Sequence, residues 1–286
     1  MQVLTSIDEM RRACKTLRRG ETPKTIGLVP TMGAIHEGHL SLVRAARQSC
    51  DYVAASIFVN PTQFGPNEDF AQYPRTFEAD CELLKREGVD LLFAPSASEM
   101  YPPGEEAWVD VPGVGSRLDG ASRPGHFRGV ATVVTKLFNI VQPDKAFFGQ
   151  KDAAQVAVLR SMVRALKFDV ELVICPTVRD TDGLALSSRN RSLTADARKN
   201  ALALSRSLQR VETAIAQGQI AAPTLRNVLL KELHTADIQV DYAEIVDPDT
   251  LLPLDTVSRG ALIAVAARID GTRLIDNLLI PRSHPQ

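Results

Sequence analysis

The decapeptide Pro30-Thr31-Met32-Gly33-Ala34-Ile35-His36-Glu37-Gly38-His39 joins a short apolar run, Thr25 to Val29, to a segment in which Leu40, Val43 and Ala46 recur at helical spacing. A strand therefore ends, two glycines loosen a turn, and an amphipathic helix opens on a His-x-Gly-His signature. The first turn of a helix carries backbone N–H groups without intrahelical partners, and these sit at the positive end of the helix dipole. Such a turn suits a polyphosphate. Two imidazoles beside it can hydrogen-bond phosphoryl oxygens as charge develops on them.

The same alternation continues along the chain. Tyr52 to Val59 is a β-rich apolar run. Phe77, Cys81 and Leu84 recur at helical spacing up to Gly88, and Val89 to Phe93 is a further strand. A helix over Phe127 to Val141 precedes a strand over Lys145 to Phe148. A helix over Ala153 to Leu166 precedes a strand over Val170 to Cys175. Repeated strand, helix, strand predicts an α/β fold with a parallel sheet and helices on both faces. Ligands of such sheets lie beyond the carboxyl ends of the strands, where Pro30, Asn60 and Gly149 fall. After Pro176 the pattern changes to a polar loop, then a helix capped by Thr194 with Leu204, Leu208, Val211 and Ile215 as its stripe. A second helix over Pro223 to His234 and three strands follow. The expected organisation is a domain over residues 1–176 and a smaller α+β domain over residues 177–286.

With 286 residues, 44% hydrophobic and 23% charged, the chain has the composition of a globular protein. Its 33 basic and 34 acidic residues leave a net charge of −1, without the basic footprint of a nucleic-acid binder. The four cysteines, at 14, 50, 81 and 175, form no Cys-x-x-Cys pair and read as buried free thiols of a reducing compartment. The first residues carry Asp8, Glu9, Arg11 and Arg12 in place of a leader's apolar core, and no stretch is long enough to span a bilayer. The expectation is a cytoplasmic protein with no membrane and no nucleic-acid partner.

Four further constellations carry polar chemistry. Phe147-Phe-Gly-Gln-Lys-Asp152 places Lys151 at the start of a helix, where a cation is unfavourable unless an anion binds there. Leu184-Ala-Leu-Ser-Ser-Arg-Asn190 offers two hydroxyls and a guanidinium to a leaving pyrophosphate. Phe58-Val-Asn-Pro-Thr-Gln63 ends a strand in a polar turn. Neutral amides such as Gln63 and Gln155 suit a carboxylate that must stay nucleophilic. Arg123-Pro-Gly-His-Phe-Arg128 is a basic turn for which a simple surface loop is an equal reading. A metal site at His36 and His39 lacks a third ligand nearby in sequence.

The lead-in Pro-Thr-Met-Gly with His-x-Gly-His resembles the nucleotidylyltransferase superfamily, and within it the pantothenate synthetase family. Tyr73-Pro-Arg-Thr, Arg123-Pro-Gly-His-Phe, Gly149-x-Lys-Asp, Ser187-Ser-Arg-Asn and Thr272-Arg-Leu-Ile-Asp-Asn277 extend the likeness over almost the whole chain. The resemblance implies a Rossmann-like N-terminal domain, a C-terminal lid, a homodimer, and ATP, Mg2+, pantoate and β-alanine as ligands. It implies catalysis by His36, His39, Lys151, Ser187, Ser188 and Arg189. It implies an ATP site of Pro30, Thr31, Met32, Gly33, His39, Gly149, Lys151, Asp152, Leu186, Ser187, Ser188 and Arg189. Substrate contacts would come from Gln63, Gln155, Asn60, Tyr73 and Arg123, with Asp80 at the magnesium site. The implied reaction condenses pantoate with β-alanine through pantoyl adenylate, releasing pyrophosphate and AMP. An adenylyltransferase of the same superfamily, acting on a phosphate-bearing acceptor, would keep AMP in its product. An aminoacyl-tRNA synthetase would need a tRNA-binding surface that this near-neutral chain lacks. A non-catalytic nucleotide-binding protein gives no reason for His36, His39, Lys151 and Arg189 to occur together.

Overall fold

A computed structural model describes residues 1–19, 24–66, 68 and 70–282. The chain divides into two compact units, residues 1–149 with 158–176, and residues 150–157 with 177–286.

The first unit runs β1 (Gln2–Leu4), α1 (Ile7–Leu17), β2 (Ile26–Thr31), α2 (Glu37–Ser49), β3 (Tyr52–Ile57), α3 (Phe77–Arg86) and β4 (Leu91–Phe93). Three short helices follow, α4 (Ala97–Met100), α5 (Pro112–Gly115) and α6 (Asp119–Ser122), then α7 (His126–Val141) and β5 (Lys145–Gly149). α8 (Ala153–Leu166) and β6 (Glu171–Cys175) end the α/β pattern. The six strands form one sheet in the order β1-β4-β3-β2-β5-β6, and every pair is parallel. On one face Val29, Val53, Ala55, Leu92 and Phe147 pack with Leu40, Val43 and Ala46 of α2 and Leu84 of α3. Successive residues of a strand point to opposite faces, and Leu28, Ala54 and Phe93 on the other face are equally buried. Both faces are thus covered, as the near-continuous apolar strands require.

The sequence alone gives no sign of β1, α1 or the short helices α4, α5 and α6. β1 has three residues, too few to show a period. Asp8, Glu9, Arg11 and Arg12 form the exposed face of α1, whose Met10 and Cys14 are buried. Ser6 and Glu9 close a capping box at its start.

The second unit contains α9 (Ala195–Ala216), α10 (Ala222–Leu233) and the strands β7 (Gln239–Val246), β8 (Ala261–Ile269) and β9 (Thr272–Ile280). The strands form an antiparallel sheet in the order β7-β8-β9. Thr194 caps α9 as expected, its hydroxyl accepting from the Ala197 amide at 3.1 Å. Leu204, Leu208 and Val211 pack with Leu225 and Leu229 of α10 and with Ile263 and Val265 of β8. Among the described residues no helix is long and apolar enough to cross a membrane.

Gly27 lets α2 lie close on β2. A Cβ there would meet Phe147 at 3.0 Å, the Cys50 sulfur at 3.1 Å and the Ala46 Cβ at 3.2 Å. Gly27→Val is therefore expected to overpack this face and cost about 1–3 kcal/mol. A lowered urea midpoint at unchanged slope is the predicted result, and an unshifted midpoint would contradict this packing.

Candidate active site

The candidate site residues fall into three groups, two in the first unit and one in the second, and each is fixed by hydrogen bonds within its own unit. The first is the loop after β2. Thr31 begins it, its hydroxyl donating to the Ser56 carbonyl at 2.7 Å and accepting from the Gly33 amide at 3.1 Å. Gly33 (φ 83°) and Ala34 (φ 50°) then turn through the left-handed region. For alanine that conformation costs about 1–2 kcal/mol. Asp80, from α3 and almost fully buried, offsets the cost: its carboxylate accepts from the amides of Ala34 at 2.9 Å and Ile35 at 2.8 Å, and from the Thr76 hydroxyl at 3.0 Å.

The loop delivers His36 as the N-cap of α2. His36 Nδ1 accepts from the Gly38 amide at 3.2 Å, and His39 Nδ1 accepts from the His36 amide at 3.4 Å. The rings lie against each other with centroids 4.1 Å apart. A nitrogen that accepts from a backbone amide carries no proton, so each neutral ring holds its proton on Nε2. Capping and phosphate chemistry are therefore not rival roles for this pair. The cap uses Nδ1 and fixes Nε2 as the donor.

The second group follows β3. Asn60 is fully buried. Its Nδ2 donates to the Gly129 carbonyl at 3.2 Å and to Gln63 Oε1 at 3.1 Å, while its Oδ1 accepts from the Thr62 amide and hydroxyl and from the Tyr101 hydroxyl. Every hydrogen-bonding atom of the Asn60 side chain thus serves the turn Pro61–Gln63 and its contact with α7. Gly129 is required where the two meet, because a Cβ there would lie 2.3 Å from the Thr62 carbonyl oxygen. Gln63 Nε2 donates to the Met32 sulfur at 3.0 Å, a weak acceptor. Tyr73 is buried with its ring edge-on to Phe64, centroids 6.0 Å apart.

Gln63 is also held by its main chain. Its carbonyl oxygen lies 2.8 Å from His126 Nδ1, and Arg123 Nη1 lies 3.0 Å from His126 Nε2. A carbonyl only accepts and a guanidinium only donates, so His126 is neutral with its proton on Nδ1. Arg123 also makes a two-pronged pair with Glu68, 2.7 Å on each arm, and Glu68 accepts from the Gly65 amide. Burial, together with the Arg123 guanidinium, holds His126 down to about 4. For Glu68 burial acts the other way, but the Arg123 pair outweighs it and brings the carboxyl to about 2.

The third group belongs to the second unit. Gln150–Asp152 forms a 3-10 turn ahead of α8, with Lys151 Nζ 3.4 Å from Asp152 Oδ1. Gln155 lies half-buried in the first turn of α8. Ser187 caps the 3-10 helix Ser188–Ser192, its hydroxyl accepting from the Arg189 amide at 3.3 Å. The Leu186 amide donates to the Val178 carbonyl, and Asn190 Nδ2 donates to the Ala185 carbonyl at 3.0 Å. Asn190 Oδ1 and the Thr177 hydroxyl are buried without a hydrogen-bond partner.

The family model for pantoate-beta-alanine ligase matches residues 2–279. The chain belongs to the pantoate-beta-alanine ligase family. It is 57% identical to the pantothenate synthetase of Acidobacterium capsulatum over 98% of this chain and 97% of that one. It is 53% identical to the enzyme of Thermotoga neapolitana over 98% of this chain and the whole of the other. The crystal structure of pantothenate synthetase from Thermus thermophilus superposes with a TM-score of 0.91 at 47% identity, covering 97% of this chain and 99% of that chain. The ligase from Francisella tularensis, complexed with beta-gamma ATP and beta-alanine, superposes with a TM-score of 0.80 at 33% identity over 98% and 97% of the two chains.

Within this ligase family fold, the first unit brings together Thr31, Gly33, His36 and His39 in one loop, and Met32 with Gln63 and Asn60 in another contact. Two residues of the sequence expectations have hydrogen-bond partners of their own. Asp80, expected at the magnesium site, accepts from the backbone of the His36 loop. Arg123, expected to contact substrate, pairs with Glu68 and lies against His126. Glu68, Tyr101 and Gly129 have no role in the sequence reading. Only Gly129, a glycine early in an otherwise helical run, carries a signal there.

Asp80→Asn sets an amide against two N–H groups. It is expected to lose about 1.5–3 kcal/mol of stability, the worth of charged hydrogen bonds, and to lower turnover with it. A metal ligand would behave otherwise: stability would hold and the magnesium requirement would rise.

His126 makes stability depend on pH. The unfolded chain takes up a proton near the ordinary 6.5, the folded chain only near 4. The unfolded state therefore binds more protons in between, and stability present above pH 6.5 is lost as pH falls toward 4. Thermal melts across that window are expected to fall more steeply for the wild type than for His126→Gln. Parallel curves would contradict the buried neutral histidine.

Proposed function

We propose that the chain makes pantothenate from pantoate and β-alanine with ATP, by in-line attack of the pantoate carboxylate on the α-phosphorus. Pyrophosphate leaves and pantoyl adenylate forms. The neutral amine of β-alanine then attacks the acyl carbon, AMP departs and the amine sheds a proton. The carboxylate is ionised at neutral pH, so the first step needs no general base. Its barrier is lowered by positioning and by donors aimed at developing charge. The observation that carries this reading is the paired Nδ1 capping of His36 and His39, which fixes two Nε2–H donors at the end of a central parallel strand.

Residue roles follow from chemistry. His36 and His39 donate to the phosphoryl oxygens, with Pro30, Thr31, Met32 and Gly33 lining the nucleotide. Lys151 and Arg189 take the triphosphate charge, with Ser187, Ser188 and the main chain of Gly149, Asp152 and Leu186 beside it. Gln63 and Gln155 bind pantoate through neutral amides, which leave its carboxylate reactive, and Tyr73 walls the pocket. Asn60 supports Gln63 from below. Magnesium enters bound to the triphosphate, as part of the substrate. The chain acts in the cytoplasm, consistent with its free cysteines, and as a homodimer, for which sedimentation is expected to give twice the chain mass of 31.2 kDa.

The test is an assay with ATP, magnesium and pantoate, with and without β-alanine. AMP release that requires both organic substrates, with pantothenate formed, is expected. AMP retained on another acceptor would instead mark an adenylyltransferase. His39→Asn keeps an acceptor near the Nδ1 position and removes the Nε2–H. It is expected to slow adenylate formation by about 10²–10³-fold, the loss of one oxyanion donor, with little change in melting temperature. Normal turnover in that variant would remove His39 from the chemistry.

A further inference from the structure

The C-terminal Asp276-Asn277 pair lies on β9, where the reading above gives it no role. Both side chains are buried. Asn277 Nδ2 donates to the main-chain carbonyls of Gln150 at 3.0 Å and Lys151 at 2.9 Å, and its Oδ1 accepts from Gln150 Nε2 at 3.0 Å. Two donors and one acceptor are all used on one three-residue turn. Next to it, Asp276 accepts both arms of the Arg179 guanidinium, at 2.6 and 2.9 Å, and also accepts from the Asn277 amide. Arg179 Nη1 further donates to the Gly183 carbonyl at 3.1 Å, and the Arg179 backbone bridges that of Ala185, two positions before Ser187.

We propose that Asn277 is a positioning residue for Lys151, and that the Asp276-Asn277 pair sets the Lys151 turn and the segment leading to Ser187 in a common register. The reason is chemical. The turn's carbonyls need donors, and its position in space is fixed by how many donors Asn277 offers and where. An aspartate has the same shape but replaces Nδ2 with an oxygen facing two carbonyl oxygens. It keeps the volume and inverts the polarity. An ammonium group carried on a turn that has shifted by an ångström no longer meets developing phosphoryl charge, and such displacements cost about 10²-fold in rate. This proposal rests on the assignment of Lys151 to the triphosphate.

The experiment is a double-mutant cycle of Asn277→Asp and Lys151→Ala, read as single-turnover pantoyl adenylate formation with melting temperatures alongside. Asn277→Asp alone is expected to lower the rate about 10²-fold with the ATP KM raised less than that. In the Lys151→Ala background the same change is expected to cost little further, because its target is gone. A merely structural asparagine would lower the melting temperature and give losses that multiply across the cycle, which overturns the proposal. If Asn277→Asp does not fold, Gln150→Leu removes the Oδ1 partner and leaves the two carbonyls. It is expected to give a smaller loss with the same non-additivity, and full activity there overturns the proposal. Lys151→Ala with wild-type turnover overturns the assignment of Lys151 itself. Loss in Lys151→Ala with wild-type turnover in Asn277→Asp overturns the role of Asn277 alone.

Discussion

The loop after β2 depends on one buried carboxylate. Asp80 accepts the Ala34 and Ile35 amides, and without it a left-handed alanine followed by a helix start loses its hydrogen bonds to α3. Everything downstream inherits that geometry: His36 becomes the cap of α2, the cap places His39 one turn on, and the two rings lie against each other, tilted by 30°. The carboxylate comes from α3, a helix that belongs to a different strand crossover. The histidine signature is therefore held by a contact between segments 45 residues apart in the chain.

Much of the fold is legible in the amino-acid sequence, because parallel strands buried on both faces leave unbroken apolar runs and their helices leave a 3.6-residue period. β2, β3, α7, α8 and α9 are of this kind. β1 is not, being too short to show alternation, and α1 hides behind the charges of its exposed face. The site is legible where chemistry is local. His36 and His39 share one turn of helix, and Lys151 breaks a dipole rule in its own neighbourhood. Roles that depend on distant partners are not readable. A carboxylate that binds two amides and one that binds a metal have the same letter, so the sequence around Asp80 does not separate them. Arg123 shows the same limit, since its partner Glu68 lies 55 residues away.

Asn60, Arg123 and His126 show how Gln63 is stiffened by groups that need not touch substrate. Each amide and imidazole atom has a donor or acceptor to satisfy, and the network closes only if His126 stays neutral. Polar networks of this kind in a weakly solvated setting are stabilising when complete and costly when one member is lost. The second unit repeats the principle with different residues, where the Asp276 carboxylate binds Arg179 and the Asn277 main chain, and the Asn277 side chain binds Gln150 and Lys151.

Gln63 is clasped at both ends, its carbonyl by His126 and its side-chain oxygen by Asn60. A long amide side chain ordinarily surrenders rotational freedom when a ligand arrives, at about 0.5–1.5 kcal/mol. For Gln63 that freedom is already gone in this fold. Its Nε2–H rests on a thioether, a contact weak enough for an incoming hydroxyl or carboxylate to displace. On the proposed reaction, a ligand at Gln63 would exchange a poor hydrogen bond for a good one with this side chain already ordered, which leaves more of the binding energy for the transition state.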